Sequence, residues 1–190
     1  AGVDFTYETS NFRGRDKNFA AGIWGIRNDR EDLVGDKSAW GFRVDYPNDL
    51  WDINLTSIRL GNGFDPSLGF MPRNDVHIWD FNTEYKPRPQ IGWMRQMFHE
   101  VSFSFFNRPD NSDWESYEVT IKPVDWLLES GERFDFSVQP QGDRPSQPFE
   151  IVADVDVPKG TYRWVRYSFG ARSSDKRRLS GELRWETGSN

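Results

Sequence analysis

Residues 40–46 read Trp-Gly-Phe-Arg-Val-Asp-Tyr, and residues 51–56 read Trp-Asp-Ile-Asn-Leu-Thr. In both stretches, large apolar side chains alternate with small, polar or charged ones. Successive side chains of a β-strand point to opposite faces, so each stretch predicts a strand with one apolar and one polar face. Residues 47–49 between them, Pro-Asn-Asp, are turn formers. The two stretches therefore predict two strands joined by a tight turn.

The same alternation recurs in further stretches along the chain, and clusters of Gly, Pro, Asn, Asp and Ser separate these stretches. It predicts an all-β fold: an antiparallel up-and-down meander of about ten or eleven strands, forming a barrel or part of a barrel. We expect residues 1–190 to form a single β-rich domain, a segment of a larger barrel. Helical periodicity is weak, with short candidates at Ile91–Met97 and Val124–Leu128. The longest predicted loop is Gln139–Pro148.

The chain is rich in aromatic residues, yet its composition as a whole is strongly hydrophilic. The 190 residues are 16% aromatic, the formal net charge is −6 and the mean hydropathy is −0.79. The absence of cysteine excludes a disulfide scaffold and thiolate metal sites, and two histidines exclude a multi-histidine metal centre. No cofactor or metal site is predicted. The acidic charge balance argues against a nucleic-acid partner, because phosphate contacts need a basic surface.

Two architectures explain the alternating faces. A soluble sandwich turns its apolar faces inward, whereas a membrane barrel turns them toward lipid and its polar faces toward the lumen. Ser38–Tyr46 and Thr161–Arg172 approach the roughly 9–11 residues that a tilted membrane strand needs. An open sheet in lipid would leave backbone groups unpaired. The membrane alternative therefore requires the remaining barrel strands from another segment or chain.

The densest motif is Gly61–Arg73, which contains three glycines and two prolines. One interpretation is a ligand-contacting loop with Asp65 and Arg73 as polar anchors. The other, which we favour, is a rigid connection between strands, since Gly and Pro report backbone demands. Trp51 is a candidate sugar-stacking platform, although its alternation with Ile53 and Leu55 favours a core or lipid-facing place. No catalytic constellation emerges from the sequence.

Several phrases resemble one protein family. Residues 44–51 and 61–73, with the later phrases 147–151, 160–164 and 175–181, are similar to bacterial cell-envelope proteins of unknown function. In that family, a carbohydrate-binding-like module of the family 9 type precedes a long β-rich region thought to form an outer-membrane barrel. The resemblance implies that this chain is part of the second region. Since the first module is not in this chain, its sugar binding is not carried over.

These observations lead to three hypotheses. The first is a non-enzymatic outer-membrane β-barrel region for uptake or handling of polar solutes such as oligosaccharides. The second is a soluble β-sandwich or barrel that binds carbohydrate, and the third is a β-fold glycoside hydrolase with paired carboxylates. We expect a bacterial outer-membrane or periplasmic location. The expected partners are a polar solute or carbohydrate, and outer-membrane lipid if the barrel is complete.

Overall fold

The fold is known from a computed structural model, which describes residues 1–66, 73–110, 113–152 and 155–189. The strands are β1 (Gly2–Thr9), β2 (Phe19–Arg27), β3 (Ser38–Pro47), β4 (Trp51–Leu60), β5 (Val76–Tyr85), β6 (Met94–Met97), β7 (His99–Asn107), β8 (Trp114–Leu128), β9 (Arg133–Asp143), β10 (Phe149–Val152), β11 (Val155–Val157), β12 (Tyr162–Arg172) and β13 (Glu182–Ser189). A short 3-10 turn, Phe12–Gly14, is the helical element among the described residues.

Ten of these strands form one antiparallel sheet in the order β1-β2-β3-β4-β5-β7-β8-β9-β12-β13. The prediction of an all-β, up-and-down antiparallel meander is confirmed. The sheet is not closed, so β1 and β13 are its two edges. The short strand β6 pairs with the end of β8, and β10 pairs with β11 as a separate hairpin.

Both short helix predictions are wrong. Met94–Met97 is β6 and Val124–Leu128 is the end of β8, and the two lie side by side with Met97 opposite Trp126. Neither segment is long enough to form a stable helix alone, and pairing with each other satisfies their backbone groups instead. The predicted loop Gln139–Pro148 is also too long, since β9 continues to Asp143 and pairs with β12 along its whole length.

The register sorts the side chains into two surfaces. We call one the aromatic face; a typical row across five strands consists of Val44, Leu55, Phe81, Phe103 and Val119. We call the other the polar face; the row beside it consists of Asp45, Asn54, Asn82, Ser102 and Thr120. The period-2 alternation of the sequence is thus carried across the sheet.

The aromatic face is the more open of the two. Phe5, Ile23 and Trp185 are 65%, 58% and 58% exposed, and further open apolar side chains lie between them on this face. On the polar face, by contrast, Ser168 and Asp125 are buried. Buried polar groups beside exposed apolar ones are the informative departure from ordinary soluble packing.

Ring contacts run along the aromatic face near both ends of the strands. At one end, the Trp51 ring centroid lies 4.5 Å from that of Tyr85. Toward the other end, the ring of Trp79 lies 4.8 Å from His77 and 5.9 Å from Phe42. Trp51 and Tyr85 lie directly opposite each other on β4 and β5, and cross-strand aromatic pairs of this kind stabilise a sheet and help to hold its register.

Candidate solute-binding cleft

The polar face contains a cleft of about 330 Å³ over β8, β9, β12 and β13. Its walls are polar and charged and include Lys122, Asp125, Arg133, Asp135, Ser168 and Glu186. Their side chains come together because cross-strand partners share a face of the sheet. Asp125 lies opposite Asp135, and Ser168 lies opposite Glu186.

A bulge in β8 brings Asp125 to this face. The register between β8 and β9 shifts between Ile121 and Val124, so both of these apolar side chains stay on the aromatic face. Asp125 therefore lies on the polar face, whereas strict alternation from Ile121 would have placed it on the aromatic face. Pro123 lies within the bulge, which suits a residue without a backbone N–H. The Pro123 carbonyl is 2.8 Å from Nδ1 of His99.

Asp125 is the centre of a chain of charges. Its carboxylate is 4% exposed and accepts hydrogen bonds from Nε and Nη2 of Arg133, at 2.5 and 2.8 Å. Nζ of Lys122 lies 4.0 Å from Asp125 and donates to Glu100 at 2.8 Å. A buried carboxylate needs such partners, because desolvation of an unpaired charge is costly.

The floor of the cleft is formed by small residues. Ser137 and Ser168 face each other on β9 and β12 and are 4% and 5% exposed. Oγ of Ser168 has no hydrogen-bond partner among the described residues. Gly170 lies opposite Asp135, and a Cβ at this glycine would overlap the Asp135 carboxylate. Glycine at this position lets the Asp135 carboxylate lie across β12.

The structure places the three sequence-predicted residues elsewhere and does not bring them together. Trp51 begins β4, is 43% exposed and stacks on Tyr85 on the aromatic face. Asp65 follows the opposite end of β4, where its carboxylate accepts a hydrogen bond from Nη1 of Arg30 at 2.8 Å. Whether these residues contact a ligand stays a prediction.

Arg73 contacts a different part of the sheet. Its Nη1 donates to Oγ of Ser116 at 3.1 Å, and its guanidinium lies 5.2 Å from the ring of Phe106. It lines a second cleft, of about 530 Å³, which Asp143 shares at the opposite end of β9 from Arg133. Arg73 therefore lies away from the cleft on the polar face.

The described part of the Gly61–Arg73 motif, which follows β4, packs closely against the loop that precedes β3. A Cβ at Gly61 would overlap the Asp36 backbone, and one at Gly63 would overlap Val34. The Gly63 N–H donates to the Asp36 carbonyl at 3.0 Å. These glycines allow the two loops to approach closely, in agreement with the structural interpretation of the motif. Residues 67–72 lie outside the described residues.

Sequence reasoning missed the residues of the polar-face cleft. Asp135 and Ser168 belong to no motif. In the sequence they differ from other polar residues only in alternating with the apolar side chains of a predicted strand. The sequence argued against a place for Asp125 on the polar face of a sheet, because this residue lies in a segment predicted to be helical. What could not be read from the sequence is which polar residues of distant segments become cross-strand neighbours.

Neither a metal centre nor a membrane-spanning helix is found in the part of the chain that the structure describes. Its His, Asp and Glu side chains form no group of three or more arranged to hold a metal ion. No helix there is long and apolar enough to cross a membrane. Comparison with protein families, with curated proteins and with solved structures finds no match to this chain.

Proposed function

We propose that this chain forms part of the wall of a bacterial outer-membrane β-barrel, with its aromatic face toward lipid and its polar face toward an aqueous interior that handles polar solutes. The observation that carries the proposal is the inverted burial of the sheet. Phe5 and Trp185 are open on one face, while Ser168 and Asp125 are buried on the other. Membrane barrels alternate apolar-out and polar-in in this way.

Strand length and ring placement support the same proposal. β2, β3, β4, β5, β7, β9 and β12 have 9–11 residues each, the length that a tilted strand needs to cross the hydrocarbon core. The Trp51–Tyr85 pair and the His77–Trp79 pair lie toward opposite ends of the strands. Membrane barrels carry aromatic residues at both interfaces in this manner.

The strand directions suit closure. Ten strands alternate in direction along the sheet, so the edges β1 and β13 run antiparallel to each other. A barrel made of these ten strands could close with β1 and β13 paired antiparallel. The same holds if an even number of further strands is added between these two edges. We propose that strands from another segment or another chain complete the wall, because unpaired edges are not tolerated in lipid.

A matched pair of arginine substitutions on β8 tests the proposal. Ile121, 40% exposed, lies on the aromatic face, and Glu118, also exposed, lies on the polar face. In lipid vesicles, with the strands that complete the wall present, Ile121→Arg should lower the free energy of unfolding by about 2 kcal/mol, because the charge enters hydrocarbon. Glu118→Arg should change it by less than about 0.5 kcal/mol. A protein that stays monodisperse without detergent, and in which both variants are equally stable, would contradict a membrane location.

A further inference from the structure

The polar-face cleft is lined by four cations and four carboxylates, but these do not all pair with one another. Each cation on its walls already has a carboxylate partner. The pairs are Lys122 with Glu100 at 2.8 Å, Arg133 with Asp125 at 2.5 Å, Arg172 with Asp175 at 2.6 Å and Arg184 with Glu182 at 3.4 Å. The cations of the cleft are therefore engaged, and little positive charge is left for an anionic ligand.

Two carboxylates in the same cleft are left over. Asp135 and Glu186 line it, and neither forms a hydrogen bond or an ion pair with any described residue. Asp135 also lies directly opposite Asp125, whose charge is already matched by Arg133. Arg166, the next cation on β12, is not among the lining residues. The cleft thus offers two carboxylates without a hydrogen bond or an ion pair, of which Asp135 still interacts through space with Arg133 and helps to raise the pKa of that guanidinium.

Ser168 supplies an independent sign of a missing partner. Its residue is 5% exposed, it lines the cleft, and its Oγ has no partner in the part of the chain that the structure describes. It lies opposite Glu186 on one side and opposite Ser137 on the other. Buried hydroxyls are nearly always hydrogen-bonded, so an orphan lining a cleft points to a ligand or water at that place.

We infer that this cleft binds a polyhydroxylated solute that carries a primary ammonium group. The inference rests on the proposed solute-handling function and names its solute class. The ammonium would lie at Asp135 or Glu186, and a hydroxyl of the solute would pair with Ser168. Asp135 lies opposite Gly170 and Glu186 lies opposite Ser168, so their backbones are two strands and two residues apart, about 12 Å, which leaves room for a sugar-sized ligand between them. A bare metal ion fits less well, because the described residues hold no group of three ligands.

Calorimetric titration of the purified protein in detergent tests this inference with three probes of one size: glucosamine, glucose and glucuronate. The buffer is kept near pH 6, where the amine is protonated. We expect glucosamine to bind about tenfold more tightly than glucose, because a charge-assisted hydrogen bond is stronger than a neutral one. Glucuronate should bind most weakly, since it meets unmatched carboxylates.

Neutralising variants locate the site. Asp135→Asn and Glu186→Gln keep the shape of the side chain, and at least one should abolish the preference for glucosamine. Ser168→Ala should weaken glucosamine and glucose by the same factor. Asp4→Asn is the control, since Asp4 is an exposed carboxylate at the opposite edge of the sheet and should change nothing.

The outcomes separate this inference from the proposed function. Equal binding of glucosamine and glucose, or a glucosamine preference that survives both neutralising variants, would overturn the ammonium inference while leaving a polar-solute barrel intact. A glucosamine preference lost in Asp135→Asn or Glu186→Gln would support the inference. It would do so even if Ile121→Arg proved harmless in vesicles and the membrane proposal failed.

Discussion

Ser168 and Phe169 are consecutive residues of β12, and the hydroxyl is buried whereas the ring is open. Ser168 is 5% exposed and Phe169 is 39% exposed. The same inversion occurs on β8, where Asp125 is 4% and Ile121 is 40% exposed. A soluble sheet packs its apolar side chains inward and leaves its polar side chains in water. The polar face of this sheet instead contains buried polar side chains, so substitutions of these buried residues should affect stability strongly.

The Asp125–Arg133 pair should be more sensitive to loss of its cation than to loss of its anion. Arg133→Ala leaves a carboxylate that is 4% exposed with only Lys122, at 4.0 Å, as compensation, and should cost about 3 kcal/mol. Asp125→Ala leaves a guanidinium that is 46% exposed and can be hydrated, and should cost about 2 kcal/mol. Urea unfolding in detergent measures both free energies.

Arg184→Ala is the control for that pair. Arg184 and Glu182 are 3.4 Å apart and both about half exposed, so their ion pair is screened by solvent. Its loss should cost less than about 0.5 kcal/mol. The double variant Asp125→Ala with Arg133→Ala should cost less than the sum of the two single changes. Additive effects would show that the two side chains do not stabilise each other.

Gly142 and Gly25 should respond in opposite ways to alanine. Both lie in strands, but a Cβ at Gly142 would overlap the ring of Tyr117, whereas a Cβ at Gly25 meets nothing within 4 Å. Gly142→Ala should therefore destabilise the protein by about 1–3 kcal/mol through overpacking. Gly25→Ala should be neutral or stabilising by about 0.5 kcal/mol, since it restricts the unfolded chain. Thermal unfolding of the two variants provides the comparison, and equal shifts would contradict the assigned packing.

Asp36 should make the loop beside Gly61 sensitive to acid. The Ser38 hydroxyl and the Arg59 guanidinium donate to its carboxylate, at 2.5 and 2.6 Å, and lower the pKa of Asp36 from 3.8 to about 2. The ionised form thus stabilises the folded chain above about pH 4, and this contribution is lost as the pH falls toward about 2. The side chain is 38% exposed, so solvent weakens the effect.

The substitution Asp36→Asn tests that pH dependence. The variant should be less stable than the parent chain near pH 5, and the difference should shrink as the pH approaches about 2. Urea midpoints at a series of pH values measure it. A difference that stays constant across this range would mean that the Asp36 carboxylate does not contribute through its charge.

The sheet could be predicted from the sequence because its signal is local. Each alternating stretch around Phe42, Phe103 or Tyr167 specifies a strand by itself, and short turns specify an antiparallel meander. The end of β8 escaped prediction, since a bulge at Pro123 interrupts the alternation and shifts Asp125 to the other face. Bulges depend on how two strands pair, which a single strand sequence does not encode.

The candidate cleft depends on distant partners and was not predicted. Asp135 and Glu186 are 51 positions apart in the sequence, and β12 alone brings their strands into one surface. Conversely, the conspicuous Gly61–Arg73 motif marked a close approach of two loops, because glycine reports steric demand rather than chemistry. The orphan hydroxyl of Ser168 became visible only once its burial was known.

The orientation of the two faces toward lipid and water can be measured by the accessibility of single cysteines along β5, which the natural absence of cysteine makes straightforward. Asp80→Cys, Phe81→Cys and Asn82→Cys are each labelled with a nitroxide in the vesicle-reconstituted protein. Relaxation by oxygen, which enriches in lipid, and by a water-soluble nickel complex is then measured. We predict that the label at position 81 responds to oxygen and that the labels at positions 80 and 82 respond to nickel. A label at position 81 shielded from oxygen, or a reversed pattern, would contradict it.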